Sequence, residues 1–252
     1  MSTDAPADEI QAPGTPEAAW RSWGRLGELP RVVPDPAGGM VVIAAHPDDE
    51  VLGVGGLMAR VLENGRRLRV VLLTDGDASH PGGPLTPADL AQLRARESER
   101  ALGALAPGAP AVEIARLGLP DTAVVEHEGV AVAALGGLLA GYELCLAPWS
   151  HDLHADHEAA GRIAARACRA TGTQLAEYPV WMWHWAVPDD CRVPWERAVR
   201  VDLAPEHVAR KERALGCFAS QIAPLLPGDD DRVILPPEEL AHFGRPFEVL
   251  FR

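Results

Sequence analysis

Met40-Val-Val-Ile-Ala-Ala-His46-Pro-Asp-Asp-Glu50 is the stretch on which the fold turns. Six apolar residues in a row, Met40 to Ala45, are far too few to cross a bilayer and suit a strand buried on both faces. His46, Asp48, Asp49 and Glu50 follow at once, so a titratable cluster stands at the carboxyl end of a buried strand. In open α/β sheets that end is where ligands bind.

Outward from this stretch the chain alternates. Val51 to Asn64 repeats apolar residues at helical spacing and stops at Gly65. Leu68 to Thr74 reads as the next strand, closed by Asp75-Gly76. Thr86-Pro87 with Asp89 has the form of a capped helix start. Ala111 to Leu117 and Glu143 to Ala147 read as strands, Val130 to Ala140 and Asp156 to Thr171 as helices. The alternation predicts an α/β fold, a Rossmann-like three-layer sandwich with a mostly parallel sheet. Beyond Gln174, Glu177 to Val187, Arg197 to Leu203 and Pro246 to Phe251 read as strands and Pro205 to Gln221 as a helix. They are expected to extend the same domain and to wall one side of its cleft. Residues 1–20, rich in Pro, Ala, Asp and Glu, are expected to form a disordered or loosely attached tail ahead of one domain at 21–252.

Composition narrows the function classes. Acidic side chains outnumber basic ones by 36 to 23, a formal charge of −13, which disfavours nucleic acid and anionic membrane as partners. The N-terminus lacks a basic-then-apolar secretory pattern, and Cys145, Cys168, Cys191 and Cys217 form no Cys-x-x-Cys pair. A cytoplasmic protein acting on a small molecule is the expectation, with oligomeric state left open.

A second cluster, His151-Asp152-Leu153-His154-Ala155-Asp156-His157-Glu158, follows the strand ending at Ala147. Two such clusters at two strand ends of one sheet can meet at one site. Imidazoles and carboxylates are the ligands of zinc and other divalent first-row ions, and two His with one carboxylate leave a position open for water. The plainer alternative is that Asp48, Asp49 and Glu50 only line the positive N-terminus of the next helix. The three downstream His argue against it.

His46-Pro-Asp-Asp-Glu50, with the downstream His154-x-Asp-His157, resembles the PIG-L/LmbE-like de-N-acetylase family. The likeness extends through Thr74-Asp75-Gly76 and Leu117-Gly118-Leu119-Pro120-Asp121. The resemblance implies a Zn2+ enzyme that removes an N-acetyl group from an amino sugar or glycoconjugate, giving a free amine and acetate. It implies His46, Asp49 and His157 as metal ligands and Asp48 as the base that deprotonates metal-bound water. His154 would serve as an imidazolium facing the oxyanion or the departing amine, with Asp156 holding it charged. Some members carry a tyrosine where this chain has Asp152, so that role is absent or filled by another group. His151 reads as a solvated loop residue.

The remaining candidates are weaker. Asp121 and Asp75 stand at strand ends where they would contact substrate hydroxyls, or merely cap turns. Arg94 and Glu97 read as a surface ion pair, and His80, His127, His207 and His242 as surface residues. Gly53-Val-Gly55-Gly56 follows the acidic cluster instead of the strand, which argues against a dinucleotide site and for close helix packing. Trp181, Trp183 and Trp185 alternate and, as a strand, would share one face, with Trp183 a candidate substrate contact and a core wedge the alternative. The other function readings are a metal-dependent amidase or esterase on another metabolite and a catalytically silent sugar-binding protein.

Overall fold

The computed structural model describes residues 9–108, 112–226 and 233–252. Strand β1 (Met40–Ala44) is buried along its whole length. Its side chains divide by the period of two, Met40, Val42 and Ala44 entering one core and Val41 and Ile43 the other. Around it lie β2 (Leu68–Thr74), β3 (Glu113–Leu119), β4 (Leu144–Pro148), β5 (Gln174–Tyr178), β6 (Ala198–Asp202) and β7 (Phe247–Phe251) in the order β3-β2-β1-β4-β5-β7-β6. The first five are parallel, with Met40 level with both Leu68 and Leu144. Strand β7 runs antiparallel to β5 and β6. The chain steps outward from β1 to β3 and then opens the other half with β4, so the direction of winding reverses between β1 and β4. Both titratable clusters follow these two strands.

The helices are α1 (Glu17–Ser22), α2 (Arg25–Glu28), α3 (Asp49–Glu63), α4 (Pro87–Leu105), α5 (Glu128–Leu139), α6 (Ala155–Thr171), α7 (Met182–Trp185), α8 (Pro205–Leu215), α9 (Ala219–Ile222) and α10 (Pro237–Leu240). Helices α3, α4 and α8 contribute to the core on one face of the sheet and α5 and α6 to the core on the other. This is the mostly parallel α/β sandwich that the alternation predicts.

Local sequence explains the helices that matter to the site. Thr86 Oγ1 accepts from the Asp89 amide at 3.2 Å, and Pro87 occupies the first turn of α4. In α3 the backbone leaves helical geometry at Val54, and the amides of Gly56 and Leu57 donate to the Glu248 carboxylate at 2.7 and 2.9 Å. That carboxylate also accepts from Nζ of the buried Lys211, the one lysine of the chain, at 2.8 Å. Gly53 lets α3 lie against Tyr178, where an added Cβ would stand 2.1 Å from the ring. Gly161 does the same for α6, whose Cβ would stand 2.8 Å from the Pro148 carbonyl at the end of β4.

Three expectations are corrected. Of the tail expected over 1–20, residues 1–8 lie outside the described residues, and the part that follows is attached. Trp20 is fully buried, its Nε1 donating to the Trp183 carbonyl at 2.9 Å, and Glu17 binds Arg245 and His242. The buried tryptophan, the Glu17 carboxylate and Thr15, whose Oγ1 donates to the Ala186 carbonyl, together anchor the segment. The strand expected over Glu177 to Val187 ends at Tyr178, and Met182–Trp185 is one turn of helix. The amides of Val180, Trp181 and Met182 turn instead onto the carboxylate of Asp152. The helix expected over Pro205 to Gln221 stops at Leu215 beside Gly216, so that Phe218 enters the core, and a separate turn follows at Ala219–Ile222. Ala111, expected to begin a strand, lies outside the described residues; β3 starts at Glu113.

Candidate metal centre and active site

The reversal between β1 and β4 brings the two clusters to one cleft. Past β1, Thr74 pins the chain through its amide and Oγ1, both donating to the Ala45 carbonyl, at 3.0 and 2.8 Å. Asp48 then takes φ +119°, a conformation that side chains rarely adopt. Such strain costs about 1–3 kcal/mol and persists only where neighbours enforce it. Here the enforcer is Arg94, buried on α4. Its guanidinium donates to the carbonyls of Pro47 and Gly76, at 2.5 and 2.9 Å, and to Asp48 Oδ2 at 3.1 Å.

Three imidazoles converge in front of this turn. The rings of His46 and His154 lie 4.9 Å apart, those of His46 and His157 5.4 Å and those of His154 and His157 4.6 Å. Asp49 reaches between two of them, with Oδ1 3.2 Å from His157 Nε2 and Oδ2 3.6 Å from His46 Nδ1. Each of those two rings is held from behind. His157 Nδ1 meets Asp152 Oδ2 at 2.8 Å, while His46 Nε2 meets Asp121 and Asp156 at 3.1 and 3.2 Å. His46 Nδ1 and His157 Nε2 are thus the ring atoms turned toward the Asp49 carboxylate, while His46 also forms a second cluster with Asp121 and Asp156.

Electrostatics fit a cation at that point. Burial opposes charge on Asp49, yet the imidazoles hold its carboxyl well below the usual range. Burial likewise opposes charge on His157, but Asp49 and Asp152 raise it to about 9. Burial pushes Asp48 up to about 7, with Arg94 acting against the rise and Asp49 adding to it. Fully buried Glu50 is pushed up to about 8 by its burial, and its Oε2 accepts from the Asp48 amide at 3.2 Å. Burial and the neighbouring imidazoles drive His154 down to about 3.

The residues present fit a divalent ion. Ligand atoms of His46, His154 and His157 lie within 4.8 Å of one another, and the buried Nε2 of His157 and Nδ1 of His154 make no hydrogen bond. Carboxylates orient the rings of His46 and His157 from outside, as is general where imidazoles bind a metal. The cleft has a volume of about 830 Å³ and is also lined from the C-terminal half, by Val180, Trp181, His184, Gln221 and residues 233–236. That half walls the cleft, as expected.

Residues 41–168 match the family model described as PIG-L, GlcNAc-PI de-N-acetylase. The chain belongs to this family. It is 30% identical over 137 residues to diacetylchitobiose deacetylase of Thermococcus kodakarensis, 53% of this chain and 50% of the relative. The chain thus aligns with about half the length of that curated relative. The fold is like that of N,N'-diacetylchitobiose deacetylase from Pyrococcus horikoshii, with a TM-score of 0.60, 21% identity and coverage of 85% and 82% of the two chains. It is also like that of the A40926 pseudoaglycone deacetylase Dbv21, with a TM-score of 0.61, 22% identity and coverage of 85% and 96%.

Of the residues singled out in the sequence of this PIG-L family member, His46, Asp48, Asp49, Asp121, His154, Asp156 and His157 all line the cleft. Asp156 does not hold His154. Its carboxylate accepts from the Thr122 and Val124 amides and faces His46, because α6 turns residue 156 away from residue 154. Asp75 stands outside the cleft lining and pairs with Arg116 at 3.1 Å. Trp183 is buried outside the cleft lining too, 5.1 Å from the Trp20 ring and under the Arg245 guanidinium. With a helix in place of a strand, Trp181 is the tryptophan that lines the cleft.

Arg94 and Glu97 are no surface pair. Both are buried, and Glu97 accepts from the amide and Oγ of Ser220 at 2.8 and 2.6 Å. His80, His207 and His242 are buried as well, His207 against Glu63 and His242 against Glu17. His151 is exposed, as read. The residue that sequence reasoning missed is Asp152. Its only signal was its stand in place of the tyrosine of some relatives.

Proposed function

We propose that this chain is a metal-dependent de-N-acetylase of an N-acetylated amino sugar or its conjugate. Family membership supports the reaction class, and one observation carries the assignment. The strained Asp48 carboxyl, tuned to about 7, borders the atoms His46 Nδ1, His157 Nε2 and Asp49.

The ligands are His46, Asp49 and His157, and zinc is the ion proposed. Bound there, the ion supplies Lewis acidity toward the acetyl carbonyl and makes water more acidic. Every other task falls to the protein. Asp48 takes the proton of the attacking water, for which a carboxyl near neutrality is suited. Arg94 keeps its second oxygen committed and so orients the first. Asp121 and Asp156 fix the ring of His46, and Asp152 fixes that of His157. His154, which lines the cleft with its Nδ1 unpaired, is neutral there instead of the expected imidazolium, because burial and the neighbouring imidazoles hold it at about 3. It serves the acetyl oxygen as a hydrogen-bond donor. Water adds to the acetyl carbon, the proton taken by Asp48 passes to the nitrogen as the C–N bond breaks, and the products are a free amine and acetate.

The substrate is a small N-acetylated sugar or glycoconjugate. No helix among the described residues is long and apolar enough to cross a membrane. The four cysteines are free, which supports a reducing, cytoplasmic setting. The reading is tested by incubating the protein with zinc and a panel of N-acetylhexosamine derivatives and assaying acetate. Release of acetate with a matching free amine is expected; silence across the panel would overturn it.

A further inference from the structure

Three residues from far outside the sheet also line the cleft: Ile10, Gln11 and Ala12. The family match at 41–168 includes neither this segment nor His184, on which it rests. Residues 9–16 form no helix or strand, so a stretch of this kind stays on a cleft only where specific contacts offset its loss of freedom.

Those contacts are present. His184 of α7 meets Glu239 of α10 through Nδ1 at 2.6 Å and the Ala12 carbonyl through Nε2 at 2.9 Å. The Thr15 amide donates to the His184 carbonyl at 2.8 Å, and Thr15 Oγ1 to the Ala186 carbonyl at 2.6 Å. On the other side of Ala12, both oxygens of Glu9 accept from Arg192 Nη1, at 2.9 and 2.8 Å. Arg192 in turn lies 4.4 Å from the centre of the Trp185 ring.

Gly14 shows how close the fit is. An added Cβ would stand 2.3 Å from His184 Nδ1 and 3.0 Å from Glu239 Oε1. The ring has no room to yield, being buried and bound through both nitrogens. Only glycine lets the chain cross it there.

The wall that carries this segment also reaches the imidazoles. The rings of Trp181 and His184 lie edge to face, 5.8 Å apart, and the Trp181 amide donates to the Asp152 carboxylate that meets His157 Nδ1.

Resting on the de-N-acetylase reading, we infer that residues 10–12 are a substrate-contacting wall of the cleft, held in place by Gly14 and His184, and that this wall sets the affinity for substrate. The segment takes no part in bond breaking, so it binds substrate and transition state alike.

The test is Gly14→Val, whose side chain cannot share the space of the His184 ring. Hydrogen exchange at the Thr15 amide is expected to quicken by about tenfold or more as the segment is released, and exchange as slow as in the wild type overturns the inference. With the zinc-loaded protein and the N-acetylated substrate that yields most acetate, KM is expected to rise by about tenfold. Turnover and zinc content should stay at wild-type values, the pattern of uniform binding lost. Gln11→Ala, at an exposed position, repeats the test without risk to the fold, with KM expected to rise by about threefold, the worth of one hydrogen bond. A wild-type KM in either folded variant, or a fall in kcat at constant KM, overturns the inference while the reaction stands. Calorimetry of N,N'-diacetylchitobiose with the Asp48→Asn protein separates the two claims. Binding that Gly14→Val weakens supports the wall even where no acetate appears, and binding that is equal or absent in both proteins overturns it.

Discussion

Asp152 and His157 stand 2.8 Å apart, carboxylate oxygen to Nδ1, both with no exposed surface. The same carboxylate gathers the amides of Val180, Trp181 and Met182, and the Asp152 carbonyl accepts from Trp185 Nε1. One side chain therefore aims the inner nitrogen of His157 and folds back the segment that walls the cleft. A position five residues before the imidazole it meets thus joins the candidate metal centre to the wall of the cleft.

Removing that carboxylate should loosen both. Asp152→Asn is expected to weaken zinc binding by about 10–100-fold, the usual effect of losing a partner behind a metal-bound imidazole. Chelator competition measures it. Asp152→Ala should in addition lower the melting temperature, because each buried amide left unpaired costs about 1–3 kcal/mol. Unchanged affinity in both variants would assign Asp152 to folding alone.

The ligand set is separable from its neighbour. A clustering that includes His154 is geometrically open as well, since its ring lies 4.6 Å from that of His157 and the His46 ring 5.4 Å. Asp49→Ala is expected to abolish stoichiometric zinc, read by elemental analysis after gel filtration. His154→Ala is expected to retain it while turnover falls by about 100-fold or more. The reverse pattern would exchange the two roles.

How much of this was legible in the sequence follows from what a sequence encodes locally. Strand β1, the capped start of α4 at Thr86 and the end of α6 at Thr171 depend on neighbours within a few positions, and all were readable. So was the convergence of His46 and His157, because strand ends in this architecture share a rim. What failed depended on partners distant in the chain. Asp156 follows His154 by two residues but faces His46, 110 positions away. Arg94 looked like a surface residue until Asp48, Pro47 and Gly76 closed around it. Trp183 misled because an alternating pattern fits a strand, whereas Asp152 folds that segment into a turn of helix.

Glu17 provides a pH test remote from the cleft. Burial tends to raise its carboxyl, but hydrogen bonds from His242 and Arg245 prevail and hold it at about 2, against an ordinary value of 4.5. A folded-state value below the unfolded one means that its stabilisation is complete above about pH 4.5 and is lost as pH falls toward 2. Glu17→Gln is therefore expected to cost on the order of 2 kcal/mol at pH 7. The gap between variant and wild type should narrow progressively below pH 4.5 in urea titrations, with a constant gap counting against it.

The close approach of α3 to β5 predicts opposite signs at two glycines. In Gly53→Ala the new Cβ would lie 2.1 Å from the ring of Tyr178, which is buried and donates to the Ile43 carbonyl. The expected cost is about 1–3 kcal/mol. Gly103 in α4 meets nothing within 4 Å, so Gly103→Ala should gain about 1 kcal/mol from helix propensity. Thermal melts of the pair decide, and matching shifts would contradict the packing described.

Asp48→Asn bears most directly on the central claim. The variant keeps the shape of the side chain and the metal ligands but cannot take a proton. With zinc content equal to wild type, its kcat for acetate release from the best N-acetylated substrate is expected to fall by about 100- to 10,000-fold. Wild-type turnover in a zinc-replete Asp48→Asn protein would contradict the account.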